Sequence, residues 1–221
     1  VLMQRLVEVQ YARNDVAALP GTFRARGDTL DVFPSYSKDG VRVEFFGDTI
    51  ESLRRIDPLT GRTLQTFDRT TISPARHFVM PAEKIRPAID RINAEMEARV
   101  AELEAQNKLL EAQRLRMRTT FDMEMLRELG YCSGIENYSG PLSGRPRGSR
   151  PYTLIDFFPE GFLTIVDESH VTLSQVRGMF NGDQARKRTL VEHGFRLPSA
   201  LDNRPMDFDE FMSVTGRMLF T

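Results

Sequence analysis

Residues 162–170 read Phe-Leu-Thr-Ile-Val-Asp-Glu-Ser-His, a continuous apolar run that ends in two carboxylates and a histidine. An uninterrupted apolar run of this length predicts a strand buried on both faces, as in a parallel sheet. Open parallel sheets bind ligands at the carboxyl ends of their strands, which is where Asp167, Glu168 and His170 would lie. The stretch therefore predicts an α/β fold with a candidate ligand site at this edge of the sheet.

The same residues suit nucleotide chemistry. In a nucleoside triphosphatase, Asp167 would hold Mg²⁺ directly or through water, and Glu168 would orient the attacking water. The alternative is a strand that ends in polar residues at the surface. The Asp-Glu-Ser-His string is the DExH box of helicases, which favours the nucleotide interpretation. However, the phosphate-binding loop Gly-x-x-x-x-Gly-Lys-Ser/Thr does not occur in the 221 residues. Either the interpretation is wrong or the loop precedes Val1, as expected if the chain is an internal segment.

Composition excludes several classes of protein. Thirty basic and 31 acidic residues give a net charge of -1, so no global field attracts nucleic acid. One cysteine excludes a disulfide framework or a cysteine zinc cluster within the chain. We expect no signal peptide, and no apolar run of about 20 residues occurs. The three histidines lack metal-ligand spacing, and we expect His77 to pack at a domain junction. A soluble, cytoplasmic protein with no membrane partner is expected.

Two β-hairpins are predicted in the first third of the chain. Gly27-Asp28 and Gly47-Asp48 each separate two alternating segments, a pattern typical of tight hairpin turns. The strands are predicted at residues 22–26, 29–33, 41–46 and 49–53. Arg24 and Arg26 would share one sheet face, as would Arg42 and Glu44. This mixed charge suits a protein interface better than DNA, because Glu44 would repel phosphate; the alternative is a solvated sheet face.

Two helices are predicted between residues 83 and 130. Asn107 is the expected break, since asparagine tolerates the left-handed conformation, and Gly130 is the expected end. This break argues against a coiled-coil scaffold. The apolar stripe of the first helix comprises Ile85, Ile89, Ile92, Met96, Val100 and Leu103. The stripe predicted for the second comprises Leu110, Met117, Phe121 and Met125.

The last third is predicted to be mixed. Residues 139–151 have the composition of a flexible loop, and Thr153 is expected to cap a short helix through Phe158. Asp183 is expected to cap a helix over residues 185–193 that ends at Gly194. Residues 217–221 suggest a further strand.

Six strings, in order along nearly the whole chain, resemble the UvrB family, a component of the UvrABC excinuclease of bacterial nucleotide excision repair. The 42–48 string alone also suits the related domain of the transcription-repair coupling factor, whereas the 132–139 string and the DExH box followed by Val-Thr favour UvrB. The strings are Tyr-Ala-Arg-Asn-Asp (11–15), Arg-Val-Glu-Phe-Phe-Gly-Asp (42–48), Lys-Leu-Leu-Glu-Ala-Gln-Arg-Leu (108–115), Cys-Ser-Gly-Ile-Glu-Asn-Tyr-Ser (132–139), Asp-Glu-Ser-His-Val-Thr (167–172) and Gly-Phe-Arg-Leu-Pro-Ser-Ala (194–200).

The resemblance implies a mixed α/β fold in which a small antiparallel α+β docking domain is inserted into part of a RecA-like P-loop helicase lobe with long helices. Residues 1–78 would be the UvrA-interaction domain, and residues 79–130 paired helices that return to the lobe. Residues 131–221 would be part of the first RecA-like lobe, with the DExH box.

The implied parent protein is a damage-verifying, DNA-binding, helicase-like ATPase. It would receive damaged DNA from UvrA and recruit the incision nuclease UvrC, using ATP and Mg²⁺. We expect the isolated chain to bind neither cofactor, and the alternative is a non-catalytic UvrA-binding module.

The family motifs also imply roles for single residues. Asp167 would serve Mg²⁺, Glu168 would activate water, and His170 would couple the nucleotide site to its neighbours. In the family, the glutamate matching Glu136 ties down the damage-sensing hairpin through a lysine, and the arginine matching Arg118 lies near the DNA path. Both residues equally suit an ion pair that stabilises the lobe. The basic loop at Arg145, Arg147 and Arg150 is either a phosphate contact or a solvated linker. The residues implied in UvrA docking are Arg13, Arg24, Arg26, Arg42 and Glu44.

Overall fold

A computed structural model describes residues 1–76 and 79–221. His77 and its expected packing lie outside the described residues. The chain divides into two units, Val1–Pro81 and Ala82–Thr221. None of the described helices is long and apolar enough to cross a membrane.

The first unit is a six-stranded sheet with a short helix. The strands are ordered β1 to β6 along the sheet, with β1 parallel to β2 and all other neighbours antiparallel. The elements are α1 (Leu2–Glu8), β1 (Ala12–Arg13), β2 (Thr22–Arg26), β3 (Thr29–Phe33), β4 (Gly40–Phe46), β5 (Thr49–Ile56) and β6 (Thr63–Phe67).

Both predicted hairpins are confirmed. Pairing of Arg26 with Thr29, and of Phe46 with Thr49, leaves two-residue turns that begin with Gly27 and Gly47. These glycines have φ of 56° and 58°, a region that disfavours any side chain. The turns fix the register and therefore decide which side chains share a face.

One face of this sheet is covered and apolar. Side chains of β2, β3 and β4 pack there with Leu6 of α1 and with Tyr11. Tyr11 also donates a hydrogen bond to the carbonyl of Ser73 at 2.9 Å, which ties the segment after β6 to this core. The opposite face carries the charged residues described below. The buried core comprises Leu6, Tyr11, Phe23, Leu30, Val32 and Val43.

The second unit is mainly helical. Its helices and strands are α2 (Ala82–Ala105), α3 (Leu109–Leu129), α4 (Ser139–Ser143), β7 (Leu163–Val166), α5 (Ser169–Glu192), α6 (Phe208–Val214) and β8 (Arg217–Phe220), with 3₁₀ helices at Ile135–Tyr138, Leu154–Phe157 and Pro198–Asp202.

The helical hairpin of α2 and α3 agrees with the sequence at both predicted ends. Asn107 is left-handed at φ 61°, and Gly130 ends α3 at φ 66°. Across the hairpin, Arg116 lies 3.3 Å from Glu97 and 3.5 Å from Glu104. The predicted stripe of α2 is buried from Ile89 to Leu103 and half-buried at Ile85.

The predicted apolar face of α3 is wrong. Leu110, Met117 and Phe121 are exposed, whereas the buried face combines large apolar residues with small and polar ones. The apolar pattern indicated the wrong face because alanine, threonine and aspartate carry no hydrophobic signal. The buried residues are Ala112, Leu115, Thr119, Asp122, Met123 and Leu126.

Two boundaries in the last third also differ from prediction. Residues 139–143 form α4 rather than a flexible loop. Helix α5 begins at Ser169, within the DExH box, so Asp183 is inside it and pairs with Lys187 at 2.8 Å instead of capping. Thr153 caps the 3₁₀ helix Leu154–Phe157 as predicted, and Gly194 follows α5 at φ 70°.

Strand β7 forms at the predicted position but is not buried on both faces. It pairs in parallel with β8, as predicted for a parallel sheet, yet Leu163 and Ile165 are exposed. The reason is that, in the part of the chain that the structure describes, this sheet has two strands.

Candidate functional sites: the charged sheet face and the DExH edge

A buried aspartate organises the charged face of the first sheet. The register places Asp31 of β3 between Arg24 of β2 and Arg42 of β4. Arg24 approaches Asp31 Oδ2 at 2.9 Å, and Arg42 approaches Oδ1 at 2.7 Å. The Asp31 side chain is 4% exposed. We call Arg24, Asp31, Arg42 and Glu44 the charged face.

Electrostatics fix this arrangement. Burial by itself would raise the pKa of Asp31, but hydrogen bonds from Arg42 and then Arg24 outweigh it and lower the pKa below its ordinary value. The hydrogen bond to Asp31 in turn raises the pKa of Arg42. The guanidinium of Arg24 also lies 5.3 Å from the ring centroid of Phe33. Both arginines are thus held in one geometry and are partly buried.

Glu44 extends the charged face along β4. Its Oε2 accepts a hydrogen bond from Ser52 at 2.6 Å and lies 2.9 Å from Arg54. Both partners are on β5, where Ser52 is directly opposite Glu44. Glu44 therefore links β4 to β5, and its charge also contributes to the raised pKa of Arg42.

Arg13 and Arg26 meet elsewhere, at Asp15. Arg13 Nε donates to Asp15 Oδ2 at 2.9 Å, and Arg26 Nη2 donates to the Asp15 carbonyl at 3.1 Å. The Ala25 amide donates to Asp15 Oδ1 at 3.1 Å. The hydrogen bond from this amide is the largest cause that lowers the pKa of Asp15, and the hydrogen bond from Arg13 lowers it further. The structure thus divides the five sequence-predicted docking residues into two adjoining groups on one side of the sheet and its β1 edge.

Sequence reasoning missed Asp31 and Asp15. The signal for Asp31 is present in the sequence, since a two-residue turn at Gly27-Asp28 places residue 31 opposite residue 24. Asp15 carries no comparable signal, because its contacts depend on the parallel pairing of β1 with β2.

The DExH box lies at the carboxyl ends of β7 and β8. Asp167 Oδ1 accepts from the Glu168 amide at 3.0 Å and from the Thr221 hydroxyl at 3.1 Å. Glu168 is left-handed at φ 47° and starts α5. His170 Nδ1 lies 3.6 Å from Glu168 Oε2, and both side chains are highly exposed. The structure therefore brings these three predicted residues together.

No group of three or more histidine, cysteine, aspartate or glutamate side chains is placed to hold a metal ion among the described residues. Asp167 nevertheless presents one exposed carboxylate beside a hydroxyl. That donor set fits Mg²⁺ carried by a nucleotide, which is bound through one or two carboxylates and substrate phosphates.

Arg118 belongs to a hydrogen-bonded cluster. Its Nε lies 2.9 Å from Asp122 Oδ2, and its Nη2 donates to the Ser133 carbonyl at 2.9 Å. Tyr138 donates to the same Asp122 oxygen at 2.8 Å, and burial raises the pKa of Tyr138. Glu136 lies exposed in the 3₁₀ helix that ends at Tyr138.

The arginines of the basic loop all have partners. Arg150 makes two contacts with Asp156, at 2.9 and 2.6 Å, and Arg147 lies 3.4 Å from Glu95. Arg145 donates to Ser143 Oγ at 2.8 Å and to Ser139 Oγ at 3.1 Å. These contacts order the loop against its own unit.

Comparison with known proteins assigns the first unit and part of the second. Residues 1–78 match the UvrB interaction domain, and residues 83–144 match the UvrB third helical domain. The chain belongs to the UvrB family. The helical-domain match includes α2, α3 and α4, while the DExH box lies beyond both matches.

The UvrB relatives cover the DExH region as well. The chain is 59% identical to UvrABC system protein B of Bacillus subtilis (strain 168) over 95% of its own length and 32% of the relative. The same-named protein of Thermobifida fusca (strain YX) is 59% identical over 99% of this chain and 31% of the relative. The same-named protein of Methanothermobacter thermautotrophicus is 57% identical over 99% of this chain and 34% of the relative. The chain spans about a third of the length of these relatives.

Proposed function

We propose that this chain acts in nucleotide excision repair as part of a UvrB-type protein and that its first unit docks onto UvrA. The observation that carries the proposal is the charged face, in which Asp31 holds Arg24 and Arg42 in one geometry. The parent protein would be a damage-verifying, helicase-like ATPase that binds damaged DNA received from UvrA and recruits UvrC.

The face suits a protein partner better than a phosphate backbone. Arg24 and Arg42 are already paired with a carboxylate, and Glu44 would repel phosphate. Side chains that are ordered before binding lose little conformational entropy on association. Alternating charges on an ordered surface favour a partner with the complementary pattern.

Arg26 is the best residue for testing the docking proposal. It is exposed and donates to a backbone carbonyl, so its replacement leaves the Asp31 contacts intact. Calorimetric titration of the chain into cognate UvrA should show affinity at least about tenfold weaker for Arg26→Glu, since reversing an interfacial charge introduces repulsion.

The matched control is Arg5→Glu, which reverses an exposed charge on α1, the helix packed against the opposite sheet face. We expect it to bind UvrA like the unmodified chain. Equal weakening by both variants, or an unmodified folded chain that does not bind UvrA, would contradict the docking proposal.

We further propose that the DExH edge belongs to the ATP site of the parent protein. When bound there, Mg²⁺ would neutralise phosphate charge. Asp167 would hold the ion, Glu168 would orient water, and His170, beside Glu168, would link the site to its neighbours.

The isolated chain would then serve as an interaction module without catalysis. The 221 residues contain no phosphate-binding loop motif, so nothing in them cradles the β- and γ-phosphates. We expect no ATP hydrolysis in a coupled phosphate-release assay. This proposal would be contradicted if the chain hydrolysed ATP and the Glu168→Gln substitution abolished that hydrolysis.

A further inference from the structure

A cavity of about 370 Å³ lies within the second unit. Its walls come from α2, from α4 with the turn that follows it, and from the 3₁₀ helix Pro198–Asp202. We call it the arginine cavity, and its charged and hydroxyl-bearing lining residues are Arg91, Glu95, Arg145, Arg147, Ser199 and Asp202.

Two of its three guanidinium groups are hydrogen-bonded to neutral oxygens. Arg91 Nη2 donates to the Pro141 carbonyl at 2.7 Å. Arg145 donates to two serine hydroxyls and to the Ser149 carbonyl. Neutral acceptors orient a guanidinium but leave its charge in place, so both groups retain their attraction for an anion.

The third guanidinium is held only loosely. Arg147 lies 3.4 Å from Glu95, and its side chain is 66% exposed. Exposed ion pairs of this kind are weak, so Arg147 can turn toward an anion at little cost.

The two carboxylates of the arginine cavity already accept backbone hydrogen bonds. Glu95 Oε1 accepts from the Ser199 amide at 2.7 Å, and Asp202 Oδ1 accepts from the Gly148 amide at 2.9 Å. With three arginines against two acids, the lining has one excess positive charge. Burial also lowers the pKa of Arg145, which shows that its charge is incompletely solvated.

We propose that the arginine cavity binds one phosphate group of a DNA strand. Arg91, Arg145 and Arg147 would supply charge and planar donors that match phosphate oxygens. The inference rests on the proposed function only in taking DNA as the source of that phosphate.

The test is fluorescence anisotropy of a labelled single-stranded oligonucleotide with the full chain over a series of salt concentrations. Losing one phosphate contact lowers affinity in every sequence context and reduces the salt slope by about 0.7 for a single strand. We expect Arg91→Gln to weaken binding about tenfold at low salt and to reduce the slope by up to that amount.

Two further variants separate ligand binding from loss of fold. Arg147→Gln removes a guanidinium whose exposed pair with Glu95 is weak, so it should weaken DNA binding severalfold while leaving thermal unfolding nearly unchanged. Arg186→Gln is the matched control, since Arg186 is an exposed residue of α5 that pairs with Asp183 and is not among the lining residues. It should leave the salt slope unchanged.

Several results would overturn the proposal: no DNA binding by the unmodified chain at low salt, an unchanged salt slope for Arg91→Gln, or equal effects of Arg91→Gln and Arg186→Gln. Competition by inorganic phosphate at constant ionic strength should release the oligonucleotide from the unmodified chain but have less effect on Arg91→Gln. UvrA titration of Arg91→Gln should be normal, because the docking residues lie in the other unit. Failure of docking and failure of DNA binding are therefore distinguishable.

Discussion

Arg42 and Asp31 are joined at two points across β3 and β4. Arg42 Nε lies 2.7 Å from Asp31 Oδ1, and Arg42 Nη2 lies 3.0 Å from Asp31 Oδ2. Arg24 contacts the same carboxylate from β2. A single buried acid thus sets the geometry of two arginines on neighbouring strands, so the charged face is part of the sheet's own stabilisation and not a set of independent surface groups.

The first prediction concerns the stability contributed by Asp31. Asp31→Asn would leave two partly buried arginines without their counter-charge. Breaking a buried pair costs about 3–5 kcal/mol, and partial solvation of the arginines places the expected loss near about 3 kcal/mol. Urea unfolding measures it. Asp39→Asn, which alters a half-exposed pair with Arg55 at 3.9 Å, should change the free energy of unfolding by less than about 0.5 kcal/mol.

The second prediction is the pH dependence of that contribution. The pKa of Asp31 is lower in the folded chain than its ordinary value of about 3.9. The unfolded state therefore binds the proton more readily, so the stability from Asp31 is fully present above about pH 4 and is lost as pH falls through the folded pKa. Unfolding of the unmodified chain between pH 6 and about pH 2.5 should show this loss, and Asp31→Asn should reduce it. Parallel pH curves for the two proteins would argue against the pairing.

The third prediction concerns Gly194, which follows α5. Its φ is 70°, and a Cβ there would lie 2.3 Å from the carbonyl oxygen of Glu111 in α3. Because the obstacle is backbone, Gly194→Ala should destabilise the chain by about 3 kcal/mol or more. Gly182→Ala in α5 is the opposite case, since a Cβ there meets no described atom within 4 Å outside its own helix. It should stabilise by up to about 1 kcal/mol. This account would be contradicted if the thermal unfolding temperatures of both variants shifted in the same direction.

The local features of the fold could be predicted from the sequence, because they depend on few residues. Gly27-Asp28 and Gly47-Asp48 determine two hairpins, and Asn107 ends a helix through its own backbone conformation. The face of α3 could not be predicted in this way. Thr119 is buried there while Phe121 is exposed, because the packing of α2 and the Tyr138 segment selects the face.

The candidate sites show the same limit. The spacing placed Arg24 with Arg26 on one face, and Arg42 with Glu44. Asp31 was missed, although the two-residue turn at Gly27-Asp28 places it opposite Arg24. The sequence offered Arg145 and Arg147 of the arginine cavity as possible phosphate contacts, but it could not place Arg91 beside them. Arg91 and Arg145 are far apart along the chain, and the contact between Arg91 and Pro141 brings their segments together.

The fourth prediction concerns the cluster around Asp122. Tyr138→Phe removes the hydroxyl that donates to Asp122 Oδ2 at 2.8 Å and leaves Arg118 as the remaining side-chain partner of that oxygen. Hydrogen bonds to charged groups contribute about 1.5–3 kcal/mol, so a loss of about 2 kcal/mol is expected in urea unfolding. Tyr152→Phe is the matched control, because Tyr152 is exposed, and should be neutral. A neutral Tyr138→Phe would mean that Arg118 alone satisfies Asp122.

The fifth prediction concerns Cys132, the one cysteine of the chain. The residue is 1% exposed, and burial raises the pKa of its thiol to about 12. Since the thiolate is the reactive form, the folded chain at pH 8 should react with a chromogenic disulfide reagent only through unfolding. The free energy of unfolding should also fall as pH rises above about 8.5, because the unfolded state loses its proton first. Reaction of the chain unfolded in urea, where the thiol is exposed, gives the signal expected for one fully accessible thiol. Rapid stoichiometric reaction of the folded chain would show that Cys132 is accessible and that the packing beneath Tyr138 is looser than described.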